Sequence, residues 1–96
     1  MAKKLEEQIL SFGEVPEPHS IITIAYGSVR VAEKDLYSQI KPIDPIQQVI
    51  GMLQQQTLAV KGDGVKNITI SIVPVEEDGV RFLDYYGYGT IFKLKR

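Results

Sequence analysis

Apolar positions recur along the chain with two different periods, and the places where the period changes divide it into elements. In AKKLEEQILSF, Leu5, Ile9 and Phe12 stand at helical spacing among lysines and glutamates, predicting a short amphipathic helix that Gly13, Pro16 and Pro18 bring to an end. About ten residues of helix are marginal alone, so residues 1–18 are read as an N-terminal helical arm and residues 19–96 as the domain. HSIITIAYGSVRVAE gives the first strand: Ile21 to Tyr26 is an apolar, β-branched run, Gly27-Ser28 interrupts it at an expected bulge or bend, and Val29 and Val31 resume an alternation.

The helical signal is clearest in IDPIQQVIGMLQQQTLAVKGDG. Asp44 suits an N-cap, Pro45 the first helical position, and Gln47 completes a capping box. Ile46, Val49, Ile50, Leu53, Thr57 and Val60 line one face, while Gln47, Gln48, Gln54 and Gln55 fall mostly on the other. Gly51 in mid-helix predicts a close neighbour, and Gly62 or Gly64 ends the helix. VKNITISIVPV then alternates Ile68, Ile70 and Ile72 with polar residues, and Pro74 belongs at a strand end or on a sheet edge. Asp78-Gly79 favours a hairpin into the closing strand. The fold class is therefore α+β. The pattern predicts a small two-layer β-α-β-β domain, with a mixed three-stranded sheet, one long helix packed across it and the short N-terminal helix beside it.

The closing strand, VRFLDYYGYGTIFKLKR, is ambiguous about its faces. Even positions from Val80 to Leu94 hold six apolar or aromatic residues out of eight and odd positions only three, so the even face is the predicted core side, with a bulge near Asp84–Gly87. Sixteen extended residues span roughly 50 Å, and a domain of about 100 residues has a radius of gyration near 13 Å. A strand that long either breaks or reaches another subunit. Tyrosine suits such contacts, because its ring is apolar and its hydroxyl still finds a partner. Glycines beside the rings let a backbone or a planar ligand approach. The predicted ligand or subunit interface is Tyr26, Gly27, Tyr85, Tyr86, Gly87, Tyr88 and Gly89.

Composition removes several chemistries. Among 96 residues, 11 basic and 12 acidic side chains nearly balance, so phosphate-driven nucleic-acid binding is not expected. YGYGTIF echoes the aromatic strand of RNA-recognition modules, but Tyr86 replaces the basic residue and Thr90 the second stacking ring. No cysteine is present, which excludes disulfides, thiolate ligands and a cysteine nucleophile. The one histidine, His19, reads as a surface or cap residue, Glu76-Glu77-Asp78 as a solvated turn, and no serine sits in a nucleophile elbow. KGDGVK lacks the end of a phosphate loop. The expectation is a protein that is not an enzyme, with no catalytic residues, no metal site and no cofactor. MAKKLEEQIL has no leader-type apolar stretch and no run reaches 18 apolar residues, so a soluble cytoplasmic protein without membrane contact is expected.

Three short stretches carry a family resemblance. Gly64-Val65-Lys66-Asn67-Ile68 stands where a Gly-Ala-Asp-Ala-Val motif would open a strand, differing in its middle residues. Tyr88-Gly89-Thr90-Ile91-Phe92-Lys93 is similar to a closing Tyr-Gly-Thr-Ala-Val motif with a following lysine. Ile24-Ala25-Tyr26-Gly27-Ser28-Val29 is similar to an early glycine-bearing strand. Over residues 20–95 the chain thus resembles the YbjQ-like proteins, a family labelled as heavy-metal-binding domains. The resemblance implies a fold like that of dodecin subunits and a ring assembly, with a pentamer as its form. The metal label does not carry over, for want of converging nitrogen or sulfur ligands. The functional expectation is a non-catalytic, self-assembling binding or scaffold unit whose partner is itself. The alternatives are a small-ligand or metal-ion binding protein of the YbjQ-like kind and, behind it, an RNA or single-stranded DNA binder.

Overall fold

The computed structural model describes residues 7–95. Its elements run β1 (Ile9–Leu10), β2 (His19–Ala32), a single 3-10 turn (Glu33–Asp35), α1 (Ile43–Ala59), β3 (Gly64–Glu77) and β4 (Val80–Leu94). The four strands form one sheet in the order β1-β3-β4-β2. The last strand in the chain is thus the central one, antiparallel to both β2 and β3. β2 and β3 share a direction but do not pair, because β4 lies between them; the sheet is mixed only through the parallel β1–β3 pair.

The predicted N-terminal helix is not found where the structure can be read: Leu5 lies outside the described residues, and Ile9–Leu10 are strand instead. The Ile9 N–H donates to the Asp63 carbonyl and the Ser11 N–H to the Val65 carbonyl, while Asn67 and Ile68 donate back to Gly13 and Ser11. A three-turn helix would have left this stretch of the β3 edge bare, so pairing with it satisfies more backbone groups than a marginal helix could. Residues 11–18 then form a strap to the opposite edge of the sheet, where β2 begins. The sheet accordingly has four strands rather than three.

α1 begins one residue before the expected cap. Asp44 lies in the first turn, and its Oδ2 accepts the Lys41 N–H at 3.0 Å, closing the turn from inside. Pro45, Val49, Leu53 and Thr57 are buried against the sheet, and the Thr57 hydroxyl donates to the Leu53 carbonyl at 2.8 Å. The helix ends at Ala59, and just beyond it Lys61 takes the left-handed conformation (φ 58°) where a glycine was expected. The hairpin Asp78-Gly79 matches the prediction, with φ 52° and 77° as a type I′ turn demands. Pro74 lies where β3 is a sheet edge, also as predicted.

The core corrects the predicted face of β4. Its odd side meets the helix: Ala25, Leu53, Val65, Ile68 and Ile91 form one buried cluster, and Val31, Val49 and Tyr85 a second. No bulge occurs at Asp84–Gly87. The irregularities lie in its partners, between Ile21 and Thr23 and between Lys66 and Thr69. β2 runs unbroken through Gly27-Ser28. Of the predicted β3 stripe, Ile68 is buried, Ile70 half-buried and Ile72 exposed, because the hairpin extends beyond the helix. Gly51 has open space around it.

Candidate functional site

The helix covers one side of the sheet; the second side is uncovered except at the end where Lys66 and Phe92 are buried beneath His19 and the strap. Strand alternation, with the β2–β4 and β3–β4 registers, puts Ile24, Tyr26, Ser28 and Arg30 of β2 beside Thr90, Tyr88, Tyr86 and Asp84 of β4, and these beside Lys66, Thr69, Ser71 and Val73 of β3. Ile24 is 70% exposed, Tyr26 52% and Tyr88 49%, and Ile21 and Val73 are exposed as well. Tyr26 and Tyr86 stack across the strands, centroids 6.4 Å apart and planes 30° apart.

The seven residues predicted as one interface therefore divide between two faces. Tyr26, Tyr86 and Tyr88 share the open face. Tyr85, 2% exposed, is a core residue under the helix. Gly27 and Gly87 pair across β2 and β4, also under the helix. A Cβ on Gly27 would lie 2.9 Å from the Met52 Cβ, and one on Gly87 2.3 Å from the Val49 Cγ1. A Cβ on Gly89 would meet Val65 of the neighbouring strand. All three glycines admit this chain's own elements, not a ligand or a second chain.

Two polar clusters anchor the open face, and neither was read from the sequence. In the first, Arg30 grips Asp84 with a two-pronged guanidinium contact, Nε to Oδ1 at 2.7 Å and Nη2 to Oδ2 at 2.9 Å. Arg30 also reaches Glu77 at 3.1 Å and lies 5.1 Å over the Phe82 ring. Tyr86 donates its hydroxyl to the Asp84 Oδ2 at 3.1 Å. The Arg30 bonds hold the Asp84 carboxyl below its ordinary range, while the bond to Asp84 raises the Tyr86 phenol. Arg30 is raised by its bonds to Asp84 and then Glu77, so it stays a cation. In the sequence Asp84 stands only at the edge of the expected bulge; the cross-strand pairing with Arg30 was the missing information. Glu77, read as part of a solvated turn, is one of its ion-pair partners.

The second cluster lies where the strap crosses the sheet. Lys66, its side chain 9% exposed, donates from Nζ to Glu14 Oε1 at 2.7 Å and to His19 Nε2 at 2.9 Å. His19, read as a surface or cap residue, has a side chain only 13% exposed and packs edge-on to Phe92. The bond from Lys66, reinforced by the Val15 N–H, lowers the Glu14 carboxyl to about 2. A lysine inside the strand pattern VKNI was the available signal. The bulge at Asn67 (φ 54°) shifts the register beside it.

The edge of β2 carries a third device. Gln56 of α1 accepts the Tyr26 N–H at Oε1 (3.0 Å) and donates from Nε2 to the Tyr26 carbonyl (2.6 Å), as a neighbouring strand would. A recess of 410 Å³ near the hairpin tip is lined by Glu33, Lys34, Gly79, Val80 and Arg81, away from the tyrosines. No helix among the described residues is long and apolar enough to cross a membrane.

Neither family models nor curated proteins gave a match to this sequence. Among solved structures, the chain is similar to a protein of unknown function from Pediococcus pentosaceus, described as belonging to the DUF74 family. The two share 20% identity with a TM-score of 0.75, over 92% of this chain and 98% of that one. What they share is the fold: a small α+β domain with one long helix on a mixed four-stranded sheet.

Proposed function

We propose that the protein is a non-catalytic subunit that assembles with copies of itself into a closed homo-oligomer, joined through the open sheet face and serving as a binding or scaffold unit. The observation that carries the reading is the exposed apolar surface of Ile21, Ile24, Tyr26, Tyr88 and Val73 on a body of 53 × 20 × 19 Å. One long side of such a body offers on the order of 1,000 Å², comparable with the ~800 Å² that each partner buries in a stable contact. A second copy is the occupant favoured, because β3 beyond Ile68 also leaves a long strand edge for pairing, and closed symmetric assembly covers face and edge together. The YbjQ-like resemblance supports a dodecin-like ring and a pentamer.

Sedimentation equilibrium tests this. The expected result is a single species at a fixed multiple of 10.8 kDa, fivefold for the pentamer, which Tyr88→Asp breaks down. A wild-type monomer at micromolar concentration would discard the reading. A second reading is favoured by the Tyr26–Tyr86 stack: the open face holds a small planar ligand between copies. Quenching of tyrosine fluorescence by such a ligand, lost in Tyr26→Ala, is the corresponding check.

A further inference from the structure

We propose that neighbouring copies join edge to edge, the β2 edge of one taking the β3 edge of the next as an added parallel strand, with Gln56 holding the neighbour's place in the single copy. The inference rests on the self-assembly proposed above and names its backbone joint. Gln56 reveals which way the β2 backbone points. It bonds both the N–H and the carbonyl of Tyr26, so those groups turn away from β4. Backbone direction alternates along a strand, so the groups of Ile24, Ser28 and Arg30 point outward as well. Among the described residues nothing bonds these outward groups. A side-chain amide thus fills one place in an open row, with the donor and acceptor of a peptide unit, as an added strand would.

The registers carry the same phase to the far edge. Tyr26 and Tyr88 stand opposite without bonding, so the Tyr88 backbone turns to Thr69 on its other side. Thr69, Ser71 and Val73 therefore point inward, and Ile70, Ile72 and Glu76 outward. Pro74 falls on the outward phase, where its missing N–H costs the sheet nothing. The Ile68 N–H, bonded to Ser11, obeys the same phase, and beyond it no described residue bonds this edge. The flanks match too. Exposed Met52 beside β2 and exposed Ile72 on β3 lie on the helix side, while Ile24 and Tyr26 face the open side with Val73. β2 and β3 share a direction, both being antiparallel to β4. In a ring of more than two copies, paired strands stay aligned only if the axis runs roughly along them. β2 then meets the next β3 in parallel, whereas two like edges would close a twofold dimer.

The test uses proline at outward positions. Ser28→Pro and Ile72→Pro each remove one outward N–H and leave the bonds to β4, as Pro74 does in the native edge. A cooperative melt by circular dichroism shows each to be folded, and Ile24→Pro replaces Ser28→Pro if that variant is not. Each variant alone should lose the assembly and sediment at the 10.8 kDa of one copy. Isotope-labelled Ser28→Pro keeps an intact β3 edge. By NMR its Ile70 and Ile72 amides should shift when unlabelled Ile72→Pro, with its intact β2 edge, is added. They should not shift when unlabelled Ser28→Pro is added instead. Shifts with both additions or with neither overturn the joint, as does an assembly unchanged in either proline variant. Assembly that survives the prolines but yields to Tyr88→Asp would leave self-assembly through the face standing and remove only this joint.

Discussion

Gly27 and Gly87 face each other across two strands and together make the flat seat on which α1 rests. Even and odd positions of β4 were ranked by their apolar side chains, and that ranking counted Gly87 and Gly89 against the face that is buried. Their lack of a side chain is the reason that face can be buried at all. Sequence shows the glycines plainly but not which neighbour needs the room, since Gly51, with no heavy atom near its absent Cβ, looks the same in one dimension. The two cases give opposite expectations. Gly87→Ala should lower the thermal midpoint, with overpacking costing about 1–3 kcal/mol. Gly51→Ala should raise stability by about 0.5–1 kcal/mol through helix propensity and a less free unfolded chain. Differential scanning calorimetry of the two variants checks both signs. Arg30 and Asp84 were equally visible as letters, yet only the register that puts them opposite one another turns an interruption into a cross-strand ion pair.

Among the elements, the long helix, the hairpin and the edge position of Pro74 could be read because each depends on local chemistry: a 3.6-residue stripe, an Asp-Gly turn, a missing donor. The N-terminal segment could not. Its helical spacing is real, but the vacant β3 edge offers its backbone a better set of partners. Acid acts on the strap and on the Arg30 cluster through their carboxylates. The Glu14 carboxyl, drawn from 4.5 to about 2 by Lys66, and the Asp84 carboxyl, lowered by Arg30, both favour the folded state. For both, that stability is complete above the ordinary carboxylate range and is lost as pH falls below it, for Glu14 as pH falls from about 4.5 toward 2. Thermal midpoints measured across this range should fall in wild type and fall less steeply in Glu14→Gln. At the opposite edge, Gln56 occupies the place of a missing strand. Gln56→Ala removes two hydrogen bonds of about 0.5–1.5 kcal/mol each and frees the Tyr26 backbone, so light scattering should show faster aggregation on heating.

The whole molecule is long for its mass. Its radius of gyration is 15.3 Å, against about 13 Å for a compact domain of 100 residues, because strands of 14 and 15 residues extend past a helix of 17. That overhang was foreseeable by counting residues at a fixed rise. Which strand would take the centre was not, because connection length alone allows β2 and β3 to lie side by side. The same order governs how the fold comes into being. Of these four strands β4 is synthesised after the other three, and it alone among them pairs with both β2 and β3. Until its final residues emerge, the earlier strands have no template, and their isoleucines wait exposed. Every native ladder except the two-residue β1–β3 pair forms in one late event, so a chain stopped after Glu77 should show no cooperative unfolding and should be degraded by protease as fast as an unstructured peptide.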